Sequence, residues 1–456
     1  MSLSKFESML KTNNVYFFDS VEFEEIIQHY LDNGKHSLAH KAVKLGLEQH
    51  PSSVVLKLLK VELLIFQDKL QKATALISEI EAVSPNNEDL LIQKATILSK
   101  DNKHVEAIDT LKRVLSFTDD PVDVWSMIGM EYLYLDDFEN ARLNFANCID
   151  VDFEDYSSLY NVVYCYDMEN NHEEAIKFLN SYIDVNPYCE VAWHQVGRQY
   201  FVLNQYKEAL RAFDFAVLID ESFIGGYIEK AKTLEELERY EEAIQNYMIT
   251  LELDDPTAFV YVRIGECYQR LGDADAAIKF YKKAVHEDPL LDKGWLLLTN
   301  LYQEVEDYQK ALYYIAKALH IDENNPMYWR KYAEINLKLN FYEEVVKAFQ
   351  KCLNLEDTSL EIYVGLSDVL VFLGDYYDAL KILIKAKNSF KDFAEIEYRL
   401  CGLFMLTRKE DYSLLHLKNG LAIDAEYRFI VKELYPTVFE NENIQKVIQN
   451  YLKATE

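Results

Sequence analysis

Residues 190–223 read EVAWHQVGRQYFVLNQYKEALRAFDFAVLIDESF, and this stretch decides the fold. Apolar and small residues recur three or four apart in each of its halves, which is the spacing of one face of an α-helix. Residues 258–291, AFVYVRIGECYQRLGDADAAIKFYKKAVHEDPLL, follow the same order two periods later. The pattern predicts two antiparallel helices of about 14 residues in each period, neither of which buries its apolar stripe alone.

A period of 34 residues holds from Ser20 to Tyr427 without insertion or deletion and gives twelve repeats. The repeats begin at residues 20, 54, 88, 122, 156, 190, 224, 258, 292, 326, 360 and 394. Position 20 of the repeat is alanine in ten of the twelve, and position 8 is mostly small, so that paired helices approach closely. Gly34, Gly272 and Gly374 fall at position 15, where a left-handed turn between helices suits a residue without Cβ.

The composition is that of an ordered, acidic chain. Lys and Arg total 47 against 77 Asp and Glu, a formal net charge of -30, which disfavours nucleic acid and favours basic or neutral partners. The alternative is a helical surface that charge only keeps soluble. No leader segment and no run of about 18 apolar residues appears, so we expect a cytoplasmic protein without membrane insertion. The six scattered cysteines indicate neither disulfides nor a zinc site.

Two repeats carry a known signature. In the repeat from Glu190 the signature residues are Trp193, Val196, Gly197, Tyr200, Ala209, Phe213 and Ala216. In the repeat from Ala258 they are Tyr261, Ile264, Gly265, Tyr268, Ala277, Tyr281, Ala284 and Pro289. Both closely resemble the tetratricopeptide pattern W-x2-LG-x2-Y, A-x3-F-x2-A and P, and the resemblance covers residues 20–427. It implies an all-α fold, a right-handed superhelical solenoid of antiparallel helix pairs.

The ends of the chain depart from the repeat. We expect residues 1–19 to form an N-terminal cap, residues 20–427 the twelve-repeat solenoid, and residues 428–456 C-terminal capping helices. Two helices are predicted after residue 428, the second near Glu442 to Ala454. The last repeat, with Ser413 and Gly420 in place of the usual residues, is the most degenerate.

No motif for catalysis appears in the sequence. HExxH, GxxxxGK[ST], GxSxG and a GxGxxG after a strand-like run are all missing, and the array has no insertion from which to build a closed pocket. We therefore expect no enzymatic activity, no catalytic residue, no metal site and no cofactor.

The resemblance implies that positions 2, 5, 6, 9, 12 and 13 of each first helix line a concave groove that binds peptides or folded partners. One known version of this groove clamps the acidic C-terminal tail of heat-shock chaperones with Lys, Asn and Arg at fixed positions. Here Ser126 and Met130 stand where that clamp needs Lys and Asn before Asn161. The chaperone clamp is therefore not expected.

The groove positions are apolar in the first part of the array. Candidate partner-binding residues there are Leu58, Ile92, Met127, Met130, Tyr160 and Tyr164. Such a run indicates a partner surface, although the superhelix or an N-terminal segment could instead bury it internally.

Further along the chain the same positions become polar. The candidate residues are His194, Arg198, Arg263, Lys293, Asn300 and Arg330. Cations there suit a carboxylate or an acidic stretch of a partner, unless Glu229, Glu266 and Glu334 of the same face pair with them. The middle repeats also hold an acidic stretch that suits a basic partner: Glu235, Glu236, Glu238, Glu241, Glu242, Asp254 and Asp255.

These observations favour a non-enzymatic scaffold or adaptor that binds a protein or peptide segment in the groove. A client-holding chaperone or assembly factor for a basic or aggregation-prone protein is the alternative. The non-catalytic superhelix of a larger enzyme, such as a glycosyltransferase, would need a catalytic domain that this sequence does not contain. The identity of the partner stays open.

Overall fold

A computed structural model describes residues 2–12, 16–254 and 257–455 of the chain. Within these ranges the regular structure is helical and no strand occurs. The chain divides into two compact units, an N-terminal unit Met1–Thr233 and a C-terminal unit Leu234–Glu456. Their boundary lies inside one helix.

The helices follow one another in pairs. In chain order they are α1 (Ser2–Thr12), α2 (Ser20–Asp32), α3 (His36–Gln49), α4 (Val54–Phe66), α5 (Leu70–Glu81), α6 (Glu88–Lys100), α7 (His104–Leu115), α8 (Val122–Tyr134), α9 (Phe138–Val151), α10 (Tyr156–Met168), α11 (His172–Val185), α12 (Glu190–Val202), α13 (Tyr206–Ile219), α14 (Ile224–Glu236), α15 (Tyr240–Leu253), α16 (Ala258–Arg270), α17 (Ala274–Glu287), α18 (Asp292–Glu304), α19 (Tyr308–Ile321), α20 (Pro326–Lys338), α21 (Tyr342–Asn354), α22 (Leu360–Leu373), α23 (Tyr376–Ser389), α24 (Ala394–Leu406), α25 (Glu410–Ile423), α26 (Phe429–Leu434), α27 (Pro436–Phe439) and α28 (Glu442–Thr455). From α2 to α24, each even-numbered helix begins at the residue where a 34-residue repeat begins. The predicted fold class, an all-α solenoid of helix pairs, is confirmed.

Small residues hold the two helices of a pair together. Position 20 is fully buried in every repeat, as Ala209 and Ala277 illustrate. A Cβ on Gly197 would lie 2.5 Å from a ring carbon of Phe213, and one on Gly265 would lie 2.4 Å from a ring carbon of Tyr281. The aromatic ring of the second helix therefore fills the space beside the glycine of the first helix. This contact fixes the distance between the two helices.

The turn inside each pair has one conformation throughout the array. The residue at position 15 has a φ between +54° and +87° in all twelve repeats: Gly34, Asp68, Asn102, Asp136, Asn170, Asn204, Glu238, Gly272, Glu306, Asn340, Gly374 and Arg408. The next N–H closes the turn, as Gln205 does by donating to the carbonyl of Tyr200 at 2.9 Å. Glycine predicts only three of these turns. In the others the backbone hydrogen bonds of the turn impose a conformation that Asn and Asp tolerate and Glu and Arg accept at some cost.

Three tryptophans anchor the starts of first helices to the preceding loops. The indole N–H of Trp193 donates to the carbonyl of Pro187 at 3.0 Å, and that of Trp295 donates to Pro289 at 3.0 Å. Trp329 makes the equivalent bond to Glu323 at 2.8 Å. The tryptophans at position 4 therefore have a structural role in these repeats.

Both ends of the chain pack on the array. Phe6 of α1 is fully buried against Phe18 and Phe23, with ring centroids 5.9 and 6.1 Å apart. At the other end of the chain, a Cβ added to Gly402 would lie only 2.2 Å from a ring carbon of Tyr435. These contacts fit the proposed capping roles, although Met1, residues 13–15 and Glu456 lie outside the described residues.

The C-terminal segment contains three helices where the sequence predicts two. Its first predicted helix is split into α26 and α27 at Pro436, which lacks an N–H and begins α27 instead of continuing α26. The following helix, α28, buries Ile444 and Ile448 in the same cluster as Tyr435. The degenerate last repeat therefore still has a covered apolar face.

Candidate functional site

A cleft of about 820 Å³ lies in the C-terminal unit, on the end of α14 and on α16 and α18. We call it the acidic cleft, and its lining residues are Glu235, Glu236, Glu238, Tyr240, Arg263, Glu266, Gln269, Arg270, Leu297 and Glu304. Eight of these ten occupy positions 6, 9, 12 or 13 of their repeats, which are among the positions expected to line a groove. A concave surface of this size is a natural place for a ligand or partner segment.

Arg263 forms the centre of the floor of the cleft. It donates to Glu235 at 2.7 Å and to Glu266 at 2.9 Å. The fully buried Tyr247 lies beneath and donates its hydroxyl to Glu235 at 2.6 Å. The guanidinium is therefore neutralised by two carboxylates that are themselves held in place.

Burial and hydrogen bonding shift the pKa values of Glu235 and Arg263. Burial raises the pKa of Glu235, and the hydrogen bonds from Tyr247 and Arg263 oppose that rise. For Arg263 burial acts to lower the pKa, but Tyr247, Glu235 and Glu266 outweigh it and raise the pKa. The guanidinium remains charged, and the network acts as a fixed electrostatic unit.

The charged side chains that line the cleft make it negative. Five carboxylates and two guanidinium groups line it, which leaves a formal charge of -3 because 2 minus 5 is -3. Glu236, Glu238 and Glu304 are exposed to solvent. The cleft therefore presents carboxylates, and a cationic segment complements it.

The predicted polar groove residues are largely paired within the chain. Lys293 lies 3.3 Å from Glu266, which also binds Arg263. Arg330 binds the carboxylate of Asp357 with two nitrogens and lies 3.0 Å from the hydroxyl of Ser359. The hydrogen bond from Arg330 lowers the pKa of Asp357 below its usual range. Neighbouring acids therefore pair with all three cations, as the alternative of pairing within the chain expects, and their binding of a partner's carboxylate stays a prediction.

Asn300, His194 and Arg198 have different surroundings. Asn300 is half-buried, and its Oδ1 accepts no hydrogen bond in the part of the chain that the structure describes. His194 lies against Phe213 and Phe223, and both its ring nitrogens lack a partner among the described residues. Arg198 is exposed at the next turn of α12. His194 and Arg198 belong to the N-terminal unit, and the other predicted polar residues belong to the C-terminal unit.

The apolar groove positions divide into exposed and buried residues. Tyr160 and Tyr164 on α10 are 42% and 48% exposed, and Met130 on α8 is 36% exposed. Met127 and Ile92 are half-buried and pack against the core of their repeats. These residues form a partly exposed surface on successive first helices.

Leu58 does not belong to that surface. It is only 4% exposed and lies in a core cluster with Leu90 and Ile97 of α6. The expectation that Leu58 faces a groove is wrong, because the next repeat covers this face of α4.

Sequence reasoning missed several residues of the acidic cleft. Tyr240, Gln269, Arg270 and Glu304 were not singled out, although Gln269, Arg270 and Glu304 occupy groove positions 12 and 13. Of the acidic stretch, Glu241 and Glu242 lie on α15 and not in the cleft, and Asp255 lies outside the described residues. Reading positions 12 and 13 in parallel across three repeats would have found the cleft.

Other chemistry is limited in the part of the chain that the structure describes. No group of three or more His, Cys, Asp or Glu side chains there could hold a metal ion. No helix among the described residues is both long and apolar enough to cross a membrane. All six cysteines are free and buried, and burial raises the pKa of Cys165 to about 11 and that of Cys267 to about 12.

Comparison with known proteins finds relatives by sequence. A family model described as tetratricopeptide repeat matches residues 122–155 and 260–289, which fall within the repeats that begin at residues 122 and 258. Anaphase-promoting complex subunit 3 of Schizosaccharomyces pombe is 23% identical over 140 residues, or 31% of this chain and 21% of that protein. The chain therefore spans about a fifth of the length of this relative.

Solved structures with a similar arrangement include three proteins. The crystal structure of MamA is 19% identical and covers 36% of this chain and 95% of its own, with a TM-score of 0.33. That of YrrB, described as a TPR protein with an unusual peptide-binding site, is 14% identical, covers 39% and 92%, and has a TM-score of 0.34. That of the anaphase-promoting complex hetero-tetramer Cut9–Hcn1 is 13% identical, covers 99% and 92%, and has a TM-score of 0.33.

Proposed function

Because this chain is a tetratricopeptide-repeat protein with a scaffold-type interaction fold, we propose that it is a non-enzymatic adaptor that binds a basic segment of a partner protein. The acidic cleft is the binding site. The observation that carries the proposal is a concave surface of about 820 Å³ that five glutamates and two arginines line. Lysine and arginine side chains of an extended segment would meet exposed carboxylates along its rim.

The buried network explains how the cleft keeps its charge without losing stability. Arg263 offsets Glu235 and Glu266 on the floor, where an uncompensated carboxylate would be costly. Glu236 and Glu304 are both exposed to solvent. Glu304 accepts a hydrogen bond from the amide of Gln269 at 3.2 Å, and its remaining lone pairs, like those of Glu236, exchange water for a partner's cation. The network of Arg263, Glu235 and Glu266 on the floor therefore fixes the shape of the cleft. The exposed carboxylates of Glu236 and Glu304 on the rim select for a positively charged segment.

Binding of a defined probe tests the proposal. Fluorescent blocked nonapeptides, one rich in lysine and arginine and one with glutamine in their place, are titrated with the full chain and followed by anisotropy. We expect the basic peptide to bind more tightly, and to weaken between about 50 mM and about 300 mM salt because exposed charges are screened.

Two matched variants locate the site. Glu236→Lys/Glu304→Lys reverses two carboxylates of the rim, whereas Glu241→Lys/Glu287→Lys makes the same change on exposed positions of α15 and α17 outside the cleft. The first should weaken the basic peptide about tenfold or more, and the second should stay within about twofold of the wild type. Equal losses in both variants would mean that only the overall charge attracts the peptide, and the cleft would not be the site.

A client-holding role predicts a different result. A holdase suppresses the aggregation of many unrelated heat-denatured proteins and shows no saturable preference for one peptide. If the wild type protects several such clients, and the rim variant protects them equally well, the adaptor proposal is overturned.

A further inference from the structure

A stripe of exposed apolar side chains runs along two successive first helices of the N-terminal unit. It consists of Met130 and Tyr134 on α8 and of Tyr160, Tyr164 and Met168 on α10. On each helix these residues are four apart, so that they share one face. Rings and thioethers at such exposure favour contact with another protein.

The same repeat positions on the next first helix, α12, end the stripe with a cation. Arg198 is exposed and follows Tyr164 at position 9 of the repeat. Among the described residues it forms no ion pair, and its one hydrogen bond is a long contact of 3.4 Å to Oε1 of Gln195. Arg263 and Arg330, by contrast, are each bound by carboxylates. Arg198 therefore has guanidinium donors that no described residue uses.

The side-chain amide nitrogen of Gln195, next to Arg198, also lacks a hydrogen-bond partner among the described residues. Gln195 is only 1% exposed, and its Nε2 has no acceptor in the part of the chain that the structure describes. A buried amide nitrogen without an acceptor is rare in a folded protein, because its lost hydration is not replaced. The oxygen of Gln195 accepts the one hydrogen bond of Arg198, so the other N–H groups of the guanidinium remain for a partner's carboxylate.

We propose that this surface binds a protein segment that places an apolar side chain on Tyr160 and Tyr164 and an Asp or Glu carboxylate on Arg198. Neighbouring helices lie about 8–10 Å apart and an extended chain advances about 3.3 Å per residue, so the two side chains are about three residues apart in the segment. Gln195 positions the guanidinium. This interaction does not depend on the acidic cleft, which lies in the other compact unit and selects the opposite charge.

Charge reversal on both sides of the contact tests the assignment. The probes are three blocked nonapeptides in a Gly/Ser background, each with one phenylalanine followed three residues later by glutamate, glutamine or lysine. Anisotropy with the full chain should give tightest binding for the glutamate peptide. Arg198→Glu should exchange the order of the glutamate and lysine peptides, with about a tenfold change in their ratio. Tyr160→Ala/Tyr164→Ala should weaken all three peptides together.

A matched control separates the local contact from the overall charge. Arg211→Glu changes the charge equally at an exposed position of α13 and should leave the order of the peptides unchanged. If Arg198→Glu does not alter the order, or Arg211→Glu alters it equally, the proposed pairing is wrong. Because the variants of the acidic cleft are not involved, failure here leaves the proposed adaptor function to be judged by its own experiment.

Discussion

His194 should make the N-terminal unit lose stability as the solution becomes acidic. Its ring lies 5.1 Å from Phe223 and 5.6 Å from Phe213, and its nitrogens have no partner among the described residues. Burial, the largest cause, lowers the pKa of His194 to about 4. The nearby Arg198 and Lys232 lower it as well, and Glu229 opposes them. In the unfolded chain the pKa returns to about 6.5.

The direction of the pH effect on stability follows from the difference between the pKa of His194 in the folded and in the unfolded chain. The folded state favours the neutral ring, so the associated stability is fully present above the unfolded pKa and is lost as the pH falls from about 6.5 to about 4. A shift of about 2.5 units corresponds to about 3.4 kcal/mol in total, of which about 2 kcal/mol is lost between about pH 7 and about pH 5.

Urea unfolding of the wild type and of His194→Phe at these two pH values measures the effect. The variant has no titrating ring at this position, so its loss of stability on acidification should be smaller by about 2 kcal/mol. His40→Phe, a change at an exposed histidine of the same unit, should retain the loss seen in the wild type. Identical losses in the wild type and His194→Phe would refute the reasoning, because they would mean that His194 is hydrated or bonded in the folded chain.

Three further changes test the packing. Gly265→Ala should destabilise the chain by about 1–3 kcal/mol in urea unfolding, because the added Cβ meets the ring of Tyr281; an unchanged midpoint would contradict the close approach. Glu306→Gly should stabilise the chain by about 0.5–1 kcal/mol in the same assay, because its φ of +59° is strained for glutamate; destabilisation would show that the turn is not strained. Leu58→Ala should cost about 2–5 kcal/mol, whereas Tyr160→Ala on the exposed stripe should cost less than about 1 kcal/mol; comparable costs would contradict their assigned burial.

The fold was predictable because the same types of packing residue recur in each 34-residue repeat. The residues that pack one helix on its partner recur at fixed spacing, so the register placed the first residue of every first helix, from Ser20 to Ala394. The left-handed turns were predicted only at glycines. Backbone hydrogen bonding imposes the same turn on Glu306 and Arg408, and no side-chain signal announces it.

The binding surfaces were less predictable because they depend on contacts between repeats. Arg263 binds Glu235 and Lys293 binds Glu266, and in both pairs the carboxylate lies in the preceding repeat. Arg330 binds Asp357, which is 27 residues away at the far end of the same repeat. Leu58 occupies a groove position by spacing, yet α6 covers it. The orphaned amide of Gln195 depends on the geometry of its neighbours and has no signature in the sequence.

The burial of all six thiols has a practical consequence for spectroscopy. Burial raises the pKa of Cys352 and of Cys401 to about 11, as it does for Cys165, so these thiols stay protonated and shielded at neutral pH. A cysteine introduced at an exposed position outside the cleft, for example by Glu287→Cys, should then react selectively with a maleimide dye in the otherwise native sequence. Fluorescence energy transfer to a labelled peptide would report distances to the bound segment without first removing any native cysteine.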